Sequence, residues 1–134
     1  TIIRSSMAFN IDTIVVSPDT VDMYNSKVLR STEGMIFHIN IVVRELSSFI
    51  EKIKEDGYVV YGTKVDGGVN VKDININNKY ALVIGNEGRG MSSTISDLCD
   101  KYLYIKMNNE VESLNAAVAT SILLYEMDDK YDFN

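Results

Sequence analysis

The chain contains one cysteine and one histidine. A disulfide framework needs cysteine pairs, and a zinc site built from Cys and His alone needs more ligands than two, so both are excluded. A single cysteine fits a reducing compartment. No window holds the roughly 18 apolar residues of a membrane-spanning helix. The first residues lack the basic region, apolar run and cleavage site of a signal peptide, and a cytoplasmic location is expected. No basic run is present. Salt-driven coating of phosphate is therefore not expected of this chain.

What is present is ordinary globular composition: 134 residues, 46% hydrophobic and 24% charged. This predicts one domain over residues 1–134, with a single core. The net charge is −6 and is unevenly spread. Residues 1–64 carry seven basic and eight acidic groups, whereas residues 65–134 carry six and eleven. Any contact with nucleic acid would be local, or assisted by a partner or a further domain.

Strand-like and helix-like stretches alternate. A helical-looking start leads into Thr13–Val16, a β-branched run that Ser17-Pro18-Asp19 ends. Leu46, Phe49, Ile50 and Ile53 recur at helical spacing, with Gly57 as the stop. Tyr58–Tyr61 reads as a strand, and Val65–Asn78, rich in Asn and holding Asp66-Gly67-Gly68, as a loop. Ala81–Ile84 reads as a buried strand running into Gly85. Ser93–Cys99 predicts a short helix, Tyr102–Met107 a strand, and Leu114, Ala117, Val118, Ser121, Ile122 and Tyr125 a final helix. Strands without polar alternation, separated by helices, predict an α/β fold with a mostly parallel sheet and helices on both faces. Ligands in such sheets lie outside the carboxyl ends of the strands. The loops after Tyr61, Ile84 and Met107 are the candidates.

The stretch Gly85-Asn86-Glu87-Gly88-Arg89-Gly90 follows a buried strand. Its glycines permit close backbone approach to a ligand. The order is neither the dinucleotide fingerprint nor a P-loop. Glu87 would repel a phosphate, so the loop suits a neutral or cationic ligand, or one needing an acceptor. A glycine-rich turn without function is the plain alternative. The second stretch is Ser113-Leu114-Asn115. Ser113 is a good helix N-cap, which would place Asn115 in the first helical turn. The functional alternative is that both side chains face the same cleft as the glycine loop.

Taken together, Leu82-Val-Ile-Gly-Asn-Glu-Gly-Arg-Gly-Met91, Cys99-Asp100, Ile105-Lys106-Met107 and Ser113-Leu-Asn-Ala-Ala-Val-Ala119 resemble motifs two and three of the SpoU/TrmH family. These are RNA ribose 2′-O-methyltransferases of the SPOUT class. Ile3-Arg4-Ser5 with Ala8-Phe9 resembles the end of motif one. Tyr24-Asn25-Ser26-Lys27-Val28, Arg30-Ser31, Gly34 and Phe37-His38 resemble the family's middle region. The resemblance implies a SPOUT-type α/β knot with a C-terminal trefoil, S-adenosylmethionine as cofactor, rRNA or tRNA as substrate, and a homodimer.

Carried over by motif position, Arg4, Glu87, Ser113 and Asn115 form the catalytic set. Thr63, Gly85, Asn86, Gly88, Ile105, Met107 and Leu114 are the implied cofactor contacts. Two departures stand out. The family's motif one opens with an Asn-x-Gly and a preceding strand, both absent here, so an N-terminally incomplete domain is expected. Lys106 replaces the usual Pro before Met107. A non-catalytic knotted module that binds RNA or an assembly partner is the alternative function.

Other polar groups carry weaker signals. Cys99 reads as a small packing residue near a helix end. His38 reads as a strand residue near the sheet surface. Asp128, Asp129 and Asp132 read as a solvated acidic tail, and no metal site is expected. Among the tyrosines, Tyr24 and Tyr61 lie nearest the motif segments and are the candidates for stacking on bases.

Overall fold

The computed structural model describes residues 2–18, 40–64, 67–85, 91–108 and 114–130. The order is α1 (Ile2–Ala8), β1 (Thr13–Val16), β2 (Asn40–Val43), α2 (Leu46–Glu55), β3 (Val59–Thr63), β4 (Val69–Asn70), a 3-10 turn (Val71–Asp73), β5 (Tyr80–Leu82), α3 (Ser93–Leu98), β6 (Lys101–Tyr104) and α4 (Ala116–Lys130). Tyr24 and His38 lie outside the described residues.

Helix boundaries follow local chemistry. Asn10, with φ of 65°, ends α1 in the left-handed conformation that Asn tolerates. Gly57, with φ of 94°, ends α2, and the Tyr58 amide donates back to the Ile53 carbonyl at 3.0 Å. This is the stop that the position of Gly57 in the sequence predicts. The other end of α2 carries no such signal. There Glu45 is the N-cap, accepting from the Ser47 amide at 3.1 Å and the Ser48 amide at 2.8 Å. Those bonds hold the Glu45 carboxyl well below the usual carboxylate range, at about 2.

The expected parallel architecture is present, but among the described residues it forms two sheets. One pairs β1 with β2, and the other has the order β4-β6-β3-β5. Every pairing is parallel. β2 was not read as a strand from the sequence. Nor was β4, which with the 3-10 turn lies inside the stretch read as loop. At two residues β4 is too short to show alternation, and its pairing with Leu103 and Tyr104 is what makes it a strand. β6 ends at Tyr104, earlier than the sequence suggested, and Ile105 to Asn108 leave the sheet.

Two faces are covered. Tyr61 and Leu103 pack with Val71, Ile74, Ile76, Leu123 and Met127, so α4 lies on their face of the larger sheet. Each such side chain contributes roughly 1.5–3 kcal/mol when fully buried. Gly62 faces the other side. A Cβ there would stand 2.9 Å from both Cys99 Sγ and Met91 Cε, so glycine lets the end of α3 close onto β3.

β6 occupies a place that the sequence order does not suggest. It inserts between β3 and β4, which follow each other in the chain. Thr63 and Val69 both stand beside Leu103, on opposite edges. The chain between them therefore crosses β6. Lys64 N donates to the Leu103 carbonyl at 3.0 Å, and its ammonium sits 3.9 Å from the centre of the Tyr102 ring. At Gly68 a Cβ would lie 2.5 Å from the Tyr102 carbonyl oxygen, and φ is 78°. Glycine is required there both by conformation and by the closeness of the crossing.

Candidate functional site

β5, β3 and β6 are neighbours and parallel, so their carboxyl ends share one edge of the sheet. Thr63 is the last residue of β3. Gly85 follows β5 through Val83, whose amide donates to the Tyr61 carbonyl at 2.8 Å. Ile105 is the residue after β6, and Met107 lies on the same departing segment. Thr63, Gly85, Ile105 and Met107 are half-buried, neither sealed in the core nor free in solvent. Three of the sequence-derived candidates thus come from three adjacent strand ends. Asn86, Glu87, Gly88 and Ser113 fall outside the described residues.

The start of α4 corrects one expectation. The helix begins at Ala116, and Asn115 is its N-cap. Asn115 Oδ1 accepts from the Ala117 amide at 2.8 Å and the Val118 amide at 3.3 Å. The Ala119 amide donates to the Asn115 carbonyl at 2.9 Å, closing the first helical turn. Asn115 therefore does not lie in the first turn behind a Ser113 cap. Both Ser and Asn cap well, and where the chain enters α4 decides between them. The cap also fixes the chemistry of Asn115. Its oxygen is committed to backbone donors, so what the exposed side chain can offer a ligand is donation from Nδ2. Leu114, half-buried, directly precedes this cap.

Arg4 is exposed on α1, and α1 packs on α4. Ser5 Oγ and Ser121 Oγ are 2.6 Å apart. The Phe9 and Tyr125 rings meet edge to face with centroids 5.5 Å apart. Asn10 Nδ2 donates to Asp128 Oδ1 at 3.1 Å. Partners advance together along both helices, so α1 and α4 are parallel. Arg4 and Asn115 accordingly lie toward the same, amino-terminal end of the helix pair.

Several other candidates are structural. Tyr61 is 3% exposed and stacks edge to face on Tyr80, so it is no platform for a base. Burial, with Asp100 nearby, pushes its hydroxyl pKa up. Cys99 caps the end of α3, and burial and then Asp100 raise its thiol pKa, against the opposing pull of Lys54. It is a protonated packing group at neutral pH. Asp128 and Asp129 belong to the last turn of α4. Among the described residues no group of His, Cys, Asp or Glu could hold a metal ion, and no helix is long and apolar enough to cross a membrane.

A parallel α/β domain, with its candidate residues at the carboxyl edge of adjacent strands and one strand inserted between two earlier ones, defines the class. The chain belongs to the SpoU rRNA methylase family, whose profile matches residues 1–125. It is 39% identical over 127 residues to the 23S rRNA (guanosine(2553)-2′-O)-methyltransferase RlmP of Bacillus subtilis, covering 95% of this chain and 51% of that protein. The crystal structure of the SpoU methyltransferase AviRb from Streptomyces viridochromogenes, in complex with AdoMet, superposes with a TM-score of 0.86 at 30% identity, over 96% of this chain and 53% of that one. An AdoMet-bound rRNA methyltransferase from Sinorhizobium meliloti gives 0.85 at 29% identity, over 94% and 49%. The chain spans about half the length of the curated relatives it matches.

Proposed function

We propose that this chain is the catalytic domain of an S-adenosylmethionine-dependent methyltransferase that modifies a ribose 2′-hydroxyl of rRNA or tRNA. The observation that carries the reading is the meeting of Thr63, Gly85 and Ile105 at one sheet edge in a chain of this family. The relatives' names give the direction: a 23S rRNA 2′-O-methyltransferase, and AdoMet-bound structures of the same fold.

The residues present fit that cofactor. The strand ends offer backbone amides and carbonyls together with the half-buried apolar side chains of Ile105, Met107 and Leu114. That set suits an adenine ring and a thioether-like chain better than a triphosphate. The bound cofactor supplies an electrophilic methyl group. Thr63, Gly85, Asn86, Gly88, Ile105, Met107 and Leu114 would hold it, chiefly through backbone groups. Arg4 presents a donor-only guanidinium fork, which suits it to clamp phosphate or steady developing alkoxide charge and not to act as a base. Glu87 accepts hydrogen bonds that order the loop or orient Arg4. Ser113 and Asn115 orient the ribose and the carboxylate side of the cofactor, Asn115 by donation from Nδ2. Most of the acceleration comes from positioning.

The same reading makes the passage of β6 between β3 and β4 part of a trefoil knot, supported by the chain that crosses β6 beside Gly68. It also carries the cytoplasmic location and the homodimer that the family resemblance implies. Residues 1–134 are then one SpoU-type domain. The test is calorimetry with S-adenosylmethionine, using ATP as control, followed by transfer of labelled methyl groups to rRNA and tRNA. Binding of the methyl donor alone and label in 2′-O-methylnucleosides are expected. Binding of ATP, or of neither ligand, defeats the reading.

A further inference from the structure

We propose that Ser121 and Ser5 are positioning residues for Arg4, setting the register in which α1 docks on α4. This rests on the reading of Arg4 as a site residue. The starting point is the docking of α1 on α4. Ile3 and Ser6 are buried, at 4% and 3% exposure, and supply contact but little direction.

The Ser5–Ser121 contact is directional, and its sense can be worked out. Ser121 Oγ donates its only proton to the Ala117 carbonyl at 2.9 Å. At 2.6 Å from Ser5 Oγ it must therefore accept, and Ser5 donates. The two hydroxyls form a chain running Ser5 to Ser121 to the backbone of α4. One step of slippage in α1 breaks this chain and turns Arg4, the neighbouring residue, by about 100° around the helix axis. A contact with one permitted geometry thus sits directly beside the residue whose direction matters.

The polarity makes the two serines unequal. Removing the Ser121 hydroxyl leaves the Ser5 donor in a part-buried seam without its acceptor, whereas removing the Ser5 hydroxyl deletes only a donor to an oxygen that keeps its other bond. Ser121→Ala is therefore the more damaging change, and Ser121→Thr, which keeps the hydroxyl, restores function.

The experiment uses the full chain. Ser121→Ala is expected to lower kcat for methyl transfer to total RNA at least tenfold, with KM for S-adenosylmethionine unchanged. Ser5→Ala should lower kcat less, and Ser121→Thr should return it to within threefold of the original. In a Cys99→Ser background, Ser5→Cys with Ser121→Cys should form an intramolecular disulfide under mild oxidation, seen in tryptic peptides. The cross-linked chain should keep its affinity for S-adenosylmethionine within twofold, read by calorimetry. Unchanged kcat in Ser121→Ala, or no disulfide, overturns the inference. A parallel loss of kcat and cofactor affinity in Ser121→Ala also overturns it, because that is general damage. Failure of the unsubstituted chain to bind S-adenosylmethionine overturns the functional reading, while the disulfide separately reports the seam.

Discussion

Asp100 holds both polar backbone groups of Val60. Its amide donates to the Val60 carbonyl at 2.7 Å, and its Oδ2 accepts from the Val60 amide at 2.8 Å. Val60 is fully buried, so its amide has no recourse to water. The carboxylate anchors the amino end of β6 to β3, upstream of the segment that carries Ile105 and Met107. Asp100→Ala should lower unfolding free energy by about 1–3 kcal/mol, the cost of stranding a buried donor. Asp100→Asn keeps an acceptor and should lose less. Lys54 lies 3.4 Å from Asp100 Oδ1, but both side chains are about one-third exposed. Lys54→Met should therefore cost within about 1 kcal/mol. Urea titrations of the three variants check the ranking, and an equal loss from Lys54→Met would contradict it.

Asn115 allows fold and function to be separated. Asp caps a helix as well as Asn does, so Asn115→Asp should keep the melting temperature while removing the Nδ2 donor. Methyl transfer should fall at least a hundredfold. Asn115→Ala should lose both activity and about 1 kcal/mol of stability with the cap. Full activity in Asn115→Asp would show that the side chain serves only the helix.

Gly67 and Gly68 share a φ of 78° but differ in their surroundings. At Gly67 a Cβ meets nothing within 4 Å, and Gly67→Ala should cost only the roughly 1–2 kcal/mol of left-handed backbone. At Gly68 the same Cβ meets the Tyr102 carbonyl oxygen at 2.5 Å. Gly68→Ala should be the more destabilising by at least about 1 kcal/mol, because backbone must move where the chain crosses β6. Thermal melts of the pair decide this.

Acid should weaken the start of α2. The folded pKa of Glu45 is lowered to about 2 from an ordinary value of 4.5. A depressed carboxylate stabilises the folded state above its unfolded pKa, and that contribution fades as pH falls from about 4.5 through about 2. Glu45→Gln should remove it. Melting curves of the two proteins should differ at pH 6 and converge toward pH 2; a gap that is constant with pH would exclude this role for the Glu45 charge.

Much of the fold was legible in the chain. The apolar runs at Thr13–Val16 and Ala81, the helical spacing from Leu46 to Ile53 and the stop at Gly57 are local signals, because strand and helix periods repeat within a few residues. The segments around Gly85 and Asn115 could be placed at a strand end and a helix start for the same reason, whereas Ile105 reads as part of a strand that in fact ends at Tyr104. Short or capped features were harder. β4 has no period to read, and Glu45 is outside the usual set of capping residues.

What the sequence determined by itself is the alternation of strands and helices, the parallel class and the family motifs, all of which live in neighbouring residues. The tertiary structure decided that β6 lies between β3 and β4, that Asn115 is the cap of α4, and that α1 runs parallel to α4 through Ser5 and Ser121. Each of these depends on partners far apart in the chain. Local periodicity cannot reveal such pairs, because their energy exists only once the intervening chain has been folded around them.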